Sequence, residues 1–437
     1  MRSGNLGVME AGVQAPARPA AVGVTRWLVC ALLFFGCTIN YIDRQVVGIL
    51  KPTLSQELGW SELDYANIVF WFQVAYAIGY IGMGRFVDWV GVRLGYGIAV
   101  FVWSVAAMAH GLVRSVSGFA TARFVLGIGE AANFPSCFKA VRNWFPPKDR
   151  ALATGIFNAG TNVGALAAPI VVPWLTLAYG WPAAFYVTGA IGMLWVIAWA
   201  AFYRNPEEHP RVSAGELAYI RSGEDEGHTA PLSYRELLRY RATWAYAAVQ
   251  FLTSPVWWFY LFWLPDFLNK THGLDLASLG PPLIVIYLMT DVGSVAGGWL
   301  SSMLIRRGMG VLKARKLAML ICALFVLPVF LAAQVESLWA ATLLVGLAAS
   351  AHQAWGANMF TLPADTMPRN AVGSMAGIGG MLGAIGGMFM AGFAGYILQT
   401  TGSYIILFAI IPSAYFLALL LLQLLLPRDN PVRTNPA

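Results

Sequence analysis

Residues 27–50 read WLVCALLFFGCTINYIDRQVVGIL. An apolar run of about 20 residues is the length that crosses a hydrocarbon core of about 30 Å. Yet inside this run, in NYIDRQVV at 40–47, an acid and a base stand side by side as Asp43 and Arg44. At membrane depth an ionised group costs roughly 3 kcal/mol or more. The pair therefore demands a reason, and the rest of the chain supplies one.

The composition makes lipid the solvent for most of the chain. Hydrophobic residues are 58% and charged residues only 11% of the 437, with 17 Trp and a mean hydropathy of +0.63. Soluble domains carry roughly a quarter charged residues, so a water-facing surface could not be built from this sequence. The apolar runs lack period-2 alternation, which favours membrane helices over a barrel. Cys30, Cys37, Cys137 and Cys322 all fall in apolar runs without metal-ligand spacing and read as small packing residues. The first 25 residues, rich in Ala, Gly and Pro, read as a disordered cytoplasmic segment without a signal peptide.

Twelve transmembrane helices are expected, at 26–50, 65–84, 95–114, 116–140, 151–177, 182–203, 242–268, 280–304, 315–334, 337–361, 372–398 and 403–426. The charged segment 204–241 divides them as a cytoplasmic linker, and 427–437 forms a cytoplasmic tail. With both termini inside, only Lys51, Arg114 and Lys270 of the 28 Lys and Arg fall outside. Arg44 and Arg123 fall within spans, and the other 23 lie inside. This asymmetry follows the positive-inside rule. It also accounts for the net charge of +7 without a nucleic-acid partner.

The bundles 26–203 and 242–426 echo each other. Gly155 and Gly164 are repeated as Gly377 and Gly386, 222 residues later, and GRFVDWVGVR (84–93) is echoed by GWLSSMLIRRG (298–308). Two pseudo-symmetric six-helix bundles with a site between them are the plan of a secondary transporter.

GRFVDWVGVR places Gly84, Asp88, Gly91 and Arg93 at G-x-x-x-D-x-x-G-x-R spacing. It resembles the signature between helices two and three of the major facilitator superfamily, an all-α membrane fold. The glycines allow close approach and a turn, while Asp88 and Arg93 can bridge or cap neighbouring helix ends. In the second copy Ser302 stands where Asp88 stands, so an asymmetric inside gate is expected. Within that superfamily, NYIDRQVV, ARFVLGIGEAANFPSC (122–137) and RNWFPPKDRALATG (142–155) are similar to the anion–cation symporters. PVWWFYLFWLPDFL (255–268), PLIVIYLM (282–289) and AGGWLSS (296–302) resemble their bacterial hexuronate transporters. The resemblance implies proton-coupled uptake of sugar acids such as galacturonate or glucuronate across a bacterial cytoplasmic (inner) membrane, by a monomer without a cofactor.

Asp43 and Arg123 are expected at matched depth, with Glu130 about 10 Å deeper. Helical rise puts Asp43 about 10 Å and Arg123 about 12 Å below the outer surface, with Glu130 two turns beyond Arg123 on nearly the same face. A carboxylate facing a cation stays ionised, and one deprived of it in a dry pocket takes up a proton. Exchange of Arg123 between Asp43 and Glu130 would thus couple protons to conformation, and the resemblance assigns proton coupling to these same acids. A structural ion pair is the alternative. Arg44 points about 100° away from Asp43 around the helix and suits a bidentate grip on the substrate carboxylate, with Tyr76 beside it. Here a local salt bridge is the rival reading.

Sugar-compatible groups are Trp257, Trp258 and Tyr260 on helix seven, Asp291 on helix eight, and His352, Gln353 and Asn358 on helix ten. Packing roles for the aromatics, and a satisfied buried imidazole for His352, are the plainer readings. Asn158 and Asn162, about one turn apart on helix five, are cavity or interhelical contacts. No P-loop, metal cluster or nucleophile–base pair is evident, which argues against ATP hydrolysis or an embedded enzyme. The reading is a proton-coupled sugar-acid symporter. Its rivals are an organic-anion uniporter or exchanger and a sensor signalling through 204–241.

Overall fold

The computed structural model describes residues 24–222, 232–368 and 371–427. Among them every regular element is helical. In chain order these are α1 (Thr25–Leu58), α2 (Glu62–Val90), α3 (Val92–His110), α4 (Val116–Glu130), α5 (Asn133–Trp144), α6 (Pro147–Tyr179), α7 (Trp181–Phe202), α8 (Ala214–Arg221), α9 (Tyr234–Leu237), α10 (Arg241–His272), α11 (Gly280–Arg306), α12 (Val311–Val326), α13 (Leu338–Met359), α14 (Leu362–Thr366), α15 (Val372–Thr401) and α16 (Ile405–Leu425). Each expected span except the fourth coincides with one main helix. Nine of the described helical runs are long and apolar enough to cross a membrane by themselves. The remaining expected spans are α10, α13 and the α4–α5 pair.

The fourth span is not one helix. It turns at Ala131–Ala132, leaving Glu130 as the last residue of α4 and Asn133 as the first of α5. The cause is Pro135, which has no N–H to give to Ala131 and whose ring would press on that carbonyl. The ninth span similarly ends in a 3₁₀ turn, Leu327–Leu331, that begins beside Pro328. The tenth stops at Met359 before the short α14.

The glycine echo becomes a packing echo. A Cβ on Gly164 of α6 would overlap the Thr38 carbonyl of α1, and one on Gly386 of α15 would overlap the Phe251 carbonyl of α10. The fifth span of each bundle thus presses on the first, backbone to backbone, as small residues permit in lipid. The hinge glycines also match in kind: Gly91 (φ 87°) joins α2 to α3 and Gly308 (φ 89°) joins α11 to α12. That left-handed region favours glycine.

The linker is docked on the first bundle. Arg26 N donates to Glu216 Oε1 of α8 at 3.3 Å, Tyr219 donates to Asp149 Oδ2 at 2.9 Å, and the Arg26 guanidinium lies 4.6 Å from the Tyr219 ring centroid. Residues 1–23, 223–231, 369, 370 and 428–437 lie outside the described residues, and with them the expected N-terminal and C-terminal tails. The face bearing the described chain ends is called the terminal face below, and the other the far face.

Candidate functional site: a buried ion cluster beside a cleft between the bundles

Asp43 and Arg44 are both buried, at 3% exposure each. They take different partners because they diverge around α1. Arg44 reaches across to α4, with Nε and Nη2 each 2.9 Å from Glu130 Oε2. Its Nη2 also donates to Asn40 Oδ1 at 2.9 Å and to the Tyr76 hydroxyl, which in turn donates to Glu130 Oε2 at 3.2 Å. Three rings enclose the guanidinium: Tyr41 at 4.7 Å, Tyr76 at 4.9 Å and Trp258 at 5.4 Å from ring centroids. Trp258 belongs to α10, so the first bundle's cation already touches the second.

Arg123 does not hold the position expected for it in this conformation. Its Nη2 donates to the Arg44 carbonyl at 2.8 Å, and its guanidinium lies over Phe72 at 4.9 Å and Phe262 at 5.6 Å. Its Nε and Nη1 have no hydrogen-bond partner among the described residues, nor do both carboxylate oxygens of Asp43. The Thr188 hydroxyl lies beside Asp43, and Glu130 and Arg123 are the charges that act on it. The expected ion pair of Arg123 with either acid is not made in this conformation. Direction around the axis and the reach of Arg44 give Glu130 to Arg44.

A cleft of about 30 Å³ lies between the bundles. Tyr41, Thr161, Asn162 and Ala165 form its first-bundle wall, and Trp257, Tyr287, Thr290, Asp291 and Gln353 its second. The space suffices for little more than a water or two, so a larger ligand requires the bundles to part. Tyr41 connects the two features, since its ring meets both Arg44 and the cleft. Asn162, Trp257, Asp291 and Gln353 are brought to the cleft as expected groups. Tyr41, Thr161, Ala165, Tyr287 and Thr290 are the lining residues that sequence reasoning missed. Spacing on the helix would have found Tyr287, one turn before Asp291.

The other candidates fall elsewhere. His352 is bonded through Nδ1 to the Tyr415 hydroxyl at 2.7 Å and stacks on Trp257 at 5.7 Å, so it buttresses the cleft from behind. Tyr260 is buried, its hydroxyl without a partner among the described residues, and it does not line the cleft. Asn158 is exposed, and its carbonyl accepts from Thr161 at 2.7 Å. Asn358 is an interhelical clamp and not a cleft residue. Its Nδ2 donates to the Gly297 and Ala354 carbonyls at 3.0 Å each, and its Oδ1 accepts from Arg315 at 3.4 Å.

The signature residues act at the terminal face. Asp88 Oδ1 is 2.8 Å from Lys139 Nζ, bridging α2 to α5, and Arg93 Nη2 donates to the Ala200 carbonyl near the end of α7 at 3.0 Å. Gly91 supplies the turn, while Gly84 faces open space. In the second bundle, where Ser302 replaces the acid, the bridge is Arg315 Nε to Asp365 Oδ2 of α14 at 3.0 Å.

At the far face a second ion cluster ties the bundles together. Lys51 Nζ, fully buried, lies 2.8 Å from Glu62 Oε2 and 2.7 Å from Asp266 Oδ2 of α10. Lys270 contacts Glu62 and lies 3.4 Å from Asp266, and Tyr404 of α16 donates to Asp266. Tyr65 adds a hydrogen bond to the Phe262 carbonyl at 2.7 Å. Nothing in the sequence pairs Lys51 with Asp266 or Glu62 with Lys270, which lie 215 and 208 positions apart.

Comparison with known proteins agrees with this architecture. The chain is 31% identical over 382 residues to the hexuronate transporter of Escherichia coli (strain K12), covering 86% of this chain and 88% of that one. It is 30% identical over 401 residues to a probable galactarate/D-glucarate transporter of the same strain, covering 87% and 90%. In fold it matches a bacterial homologue of the human lysosomal transporter Spinster, solved in an inward-facing, unoccupied conformation. The TM-score is 0.73 at 19% identity, with 94% of this chain and 99% of that one covered. Residues 33–391 match the Major Facilitator Superfamily over most of the chain, and the twelve-span protein described here belongs to that family of transporters.

Proposed function

We propose that the protein is a monomeric symporter in a bacterial cytoplasmic membrane, driving a sugar acid into the cell with protons by alternating access. The terminal face is cytoplasmic in this reading, supported by the sequence asymmetry that puts 23 of the 28 Lys and Arg in the segments on the side of the termini. The observation that carries the reading is Arg44 held by Glu130 at 2.9 Å, with Asp43 beside it carrying no hydrogen bond among the described residues.

Arg44 has one strong anionic partner at a time. While Glu130 is charged it occupies the guanidinium. A proton on Glu130 weakens that bond and frees the fork for an incoming carboxylate, so protons and substrate enter together. Arg–carboxylate bonds are strong and geometrically selective, so the competition discriminates anions from neutral sugars. Asp43 is the second proton site, and Arg123, between them in depth, is the cation that either acid can turn to when the bundles rock. At the far face the Lys51–Asp266 and Lys270–Glu62 contacts hold the bundles closed. Asp88 and Arg93 work at the opposite gate. The cleft between the bundles receives the hydroxyls of the sugar on Asn162, Gln353 and Asp291.

The two sugar-acid relatives differ in charge class, and identities of 31% and 30% do not rank them. Uptake by proteoliposomes from a panel of hexuronates, aldonates and aldarates, with and without an imposed pH gradient, tests the reading. Concentrative uptake only with the gradient is expected. Transport indifferent to the gradient would reassign the protein as a uniporter or exchanger, and no transport of any sugar acid would remove the substrate class.

A further inference from the structure

We infer that Asp291 sets the charge class of the substrate, admitting sugar acids with one carboxylate and rejecting those with a carboxylate at each end. This rests on the sugar-acid reading above and adds to it a selection by charge.

Among the described residues Asp291 is the one charged side chain lining the cleft, and none of them gives it a hydrogen bond or an ion pair. The wall opposite is neutral, made by Tyr41, Thr161 and Asn162. The cation, Arg44, lies behind the Tyr41 ring, 4.7 Å from its centroid. The site therefore has two poles separated by Tyr41, a guanidinium on the first bundle and a carboxylate on the second. A uronate or aldonate matches both ends, placing its carboxylate toward Arg44 and its hydroxyl hydrogens toward Asp291. Hydroxyls donating to a carboxylate are charge-assisted bonds, and each contributes roughly 10- to 150-fold in affinity. An aldarate must bring its second carboxylate to the acidic pole. Two like charges about 5 Å apart at an effective permittivity of about 20 repel enough to lower affinity on the order of 100-fold.

Binding titrations of the full-length protein with a hexuronate, an aldonate and an aldarate test this, on wild type, Asp291→Asn and Asp291→Glu. The wild type is expected to prefer the monoacids on the order of 100-fold. Asp291→Asn should narrow the preference at least tenfold, mainly by gaining aldarate affinity, while Asp291→Glu keeps it. A wild type that binds monoacid and diacid equally would overturn the inference while leaving the sugar-acid reading in place, and a wild type that binds neither would remove both. Loss of gradient-driven accumulation in Asp291→Asn with an unchanged preference would also overturn it, since Asp291 would then carry protons and not read charge. If the Asn variant fails to fold, the wild-type preference and the Glu variant still decide.

Discussion

Arg44 Nη2 lies 2.9 Å from Glu130 Oε2, reaching from α1 to α4, while Asp43, its neighbour in the chain, has neither carboxylate oxygen hydrogen-bonded among the described residues. Adjacent helical residues point about 100° apart, so an acid and a base that touch in sequence are separated in space. The NYIDRQVV motif thus distributes its charges to two different surroundings instead of neutralising them locally.

Arg44→Ala is expected to weaken sugar-acid binding roughly 10- to 150-fold, the worth of a charge-assisted bond, with little effect on the neutral parent sugar. It should also cost stability of about 3–5 kcal/mol, because Glu130 is left buried without its cation. Adding Glu130→Gln should recover most of that loss. Arg44→Lys should restore binding only partly, since the planar fork is gone. Titration of both ligands and thermal unfolding in detergent check these outcomes; equal losses for acid and neutral sugar would mean that Arg44 only supports the fold of the site.

Asp43→Asn and Glu130→Gln are expected to abolish pH-gradient-driven accumulation while sparing substrate exchange. Each removes a proposed proton site at a residue that does not line the cleft. Counterflow and concentrative uptake, measured on the same vesicles, separate the two activities. A variant that still concentrates substrate with the wild-type response to the gradient would acquit its residue.

Lys51→Ala should loosen the far face. Breaking a buried ion pair costs about 3–5 kcal/mol, but Lys270 also reaches Asp266, at 3.4 Å, so a smaller effect is expected. A tenfold rise in thiol labelling of Phe262→Cys, equal to about 1.4 kcal/mol, is the expected readout. The four native cysteines are buried and give a low background. Unchanged labelling would show that the ion cluster does not hold the bundles together.

Asn358→Ala should lower stability by about 1–3 kcal/mol, the cost of leaving buried polar partners unsatisfied, and leave KM within about twofold. The residue clamps α13 to the Gly297 carbonyl of α11 and stands outside the cleft. A large KM change with normal unfolding would return it to the substrate site.

The sequence by itself determined the solvent, the number of spans, the repeat and the superfamily resemblance. Each of these rests on local or periodic quantities: run length, charge asymmetry and glycine spacing are set by the thickness of a bilayer and the rise of a helix. That Asp43, Arg123 and Glu130 are ionisable groups inside apolar runs was legible too, which is why they could be named together. Only the tertiary structure decided which acid holds which base, because pairing depends on direction around two helix axes and on side-chain reach between them. It also decided that Pro135 breaks the fourth span just beyond Glu130, that Asn358 clamps helices, and that Lys51 meets Asp266 from 215 residues away. Buried charges at membrane depth announce themselves in a sequence by what they cost, but what offsets that cost is a partner on another helix, and no one-dimensional pattern encodes it.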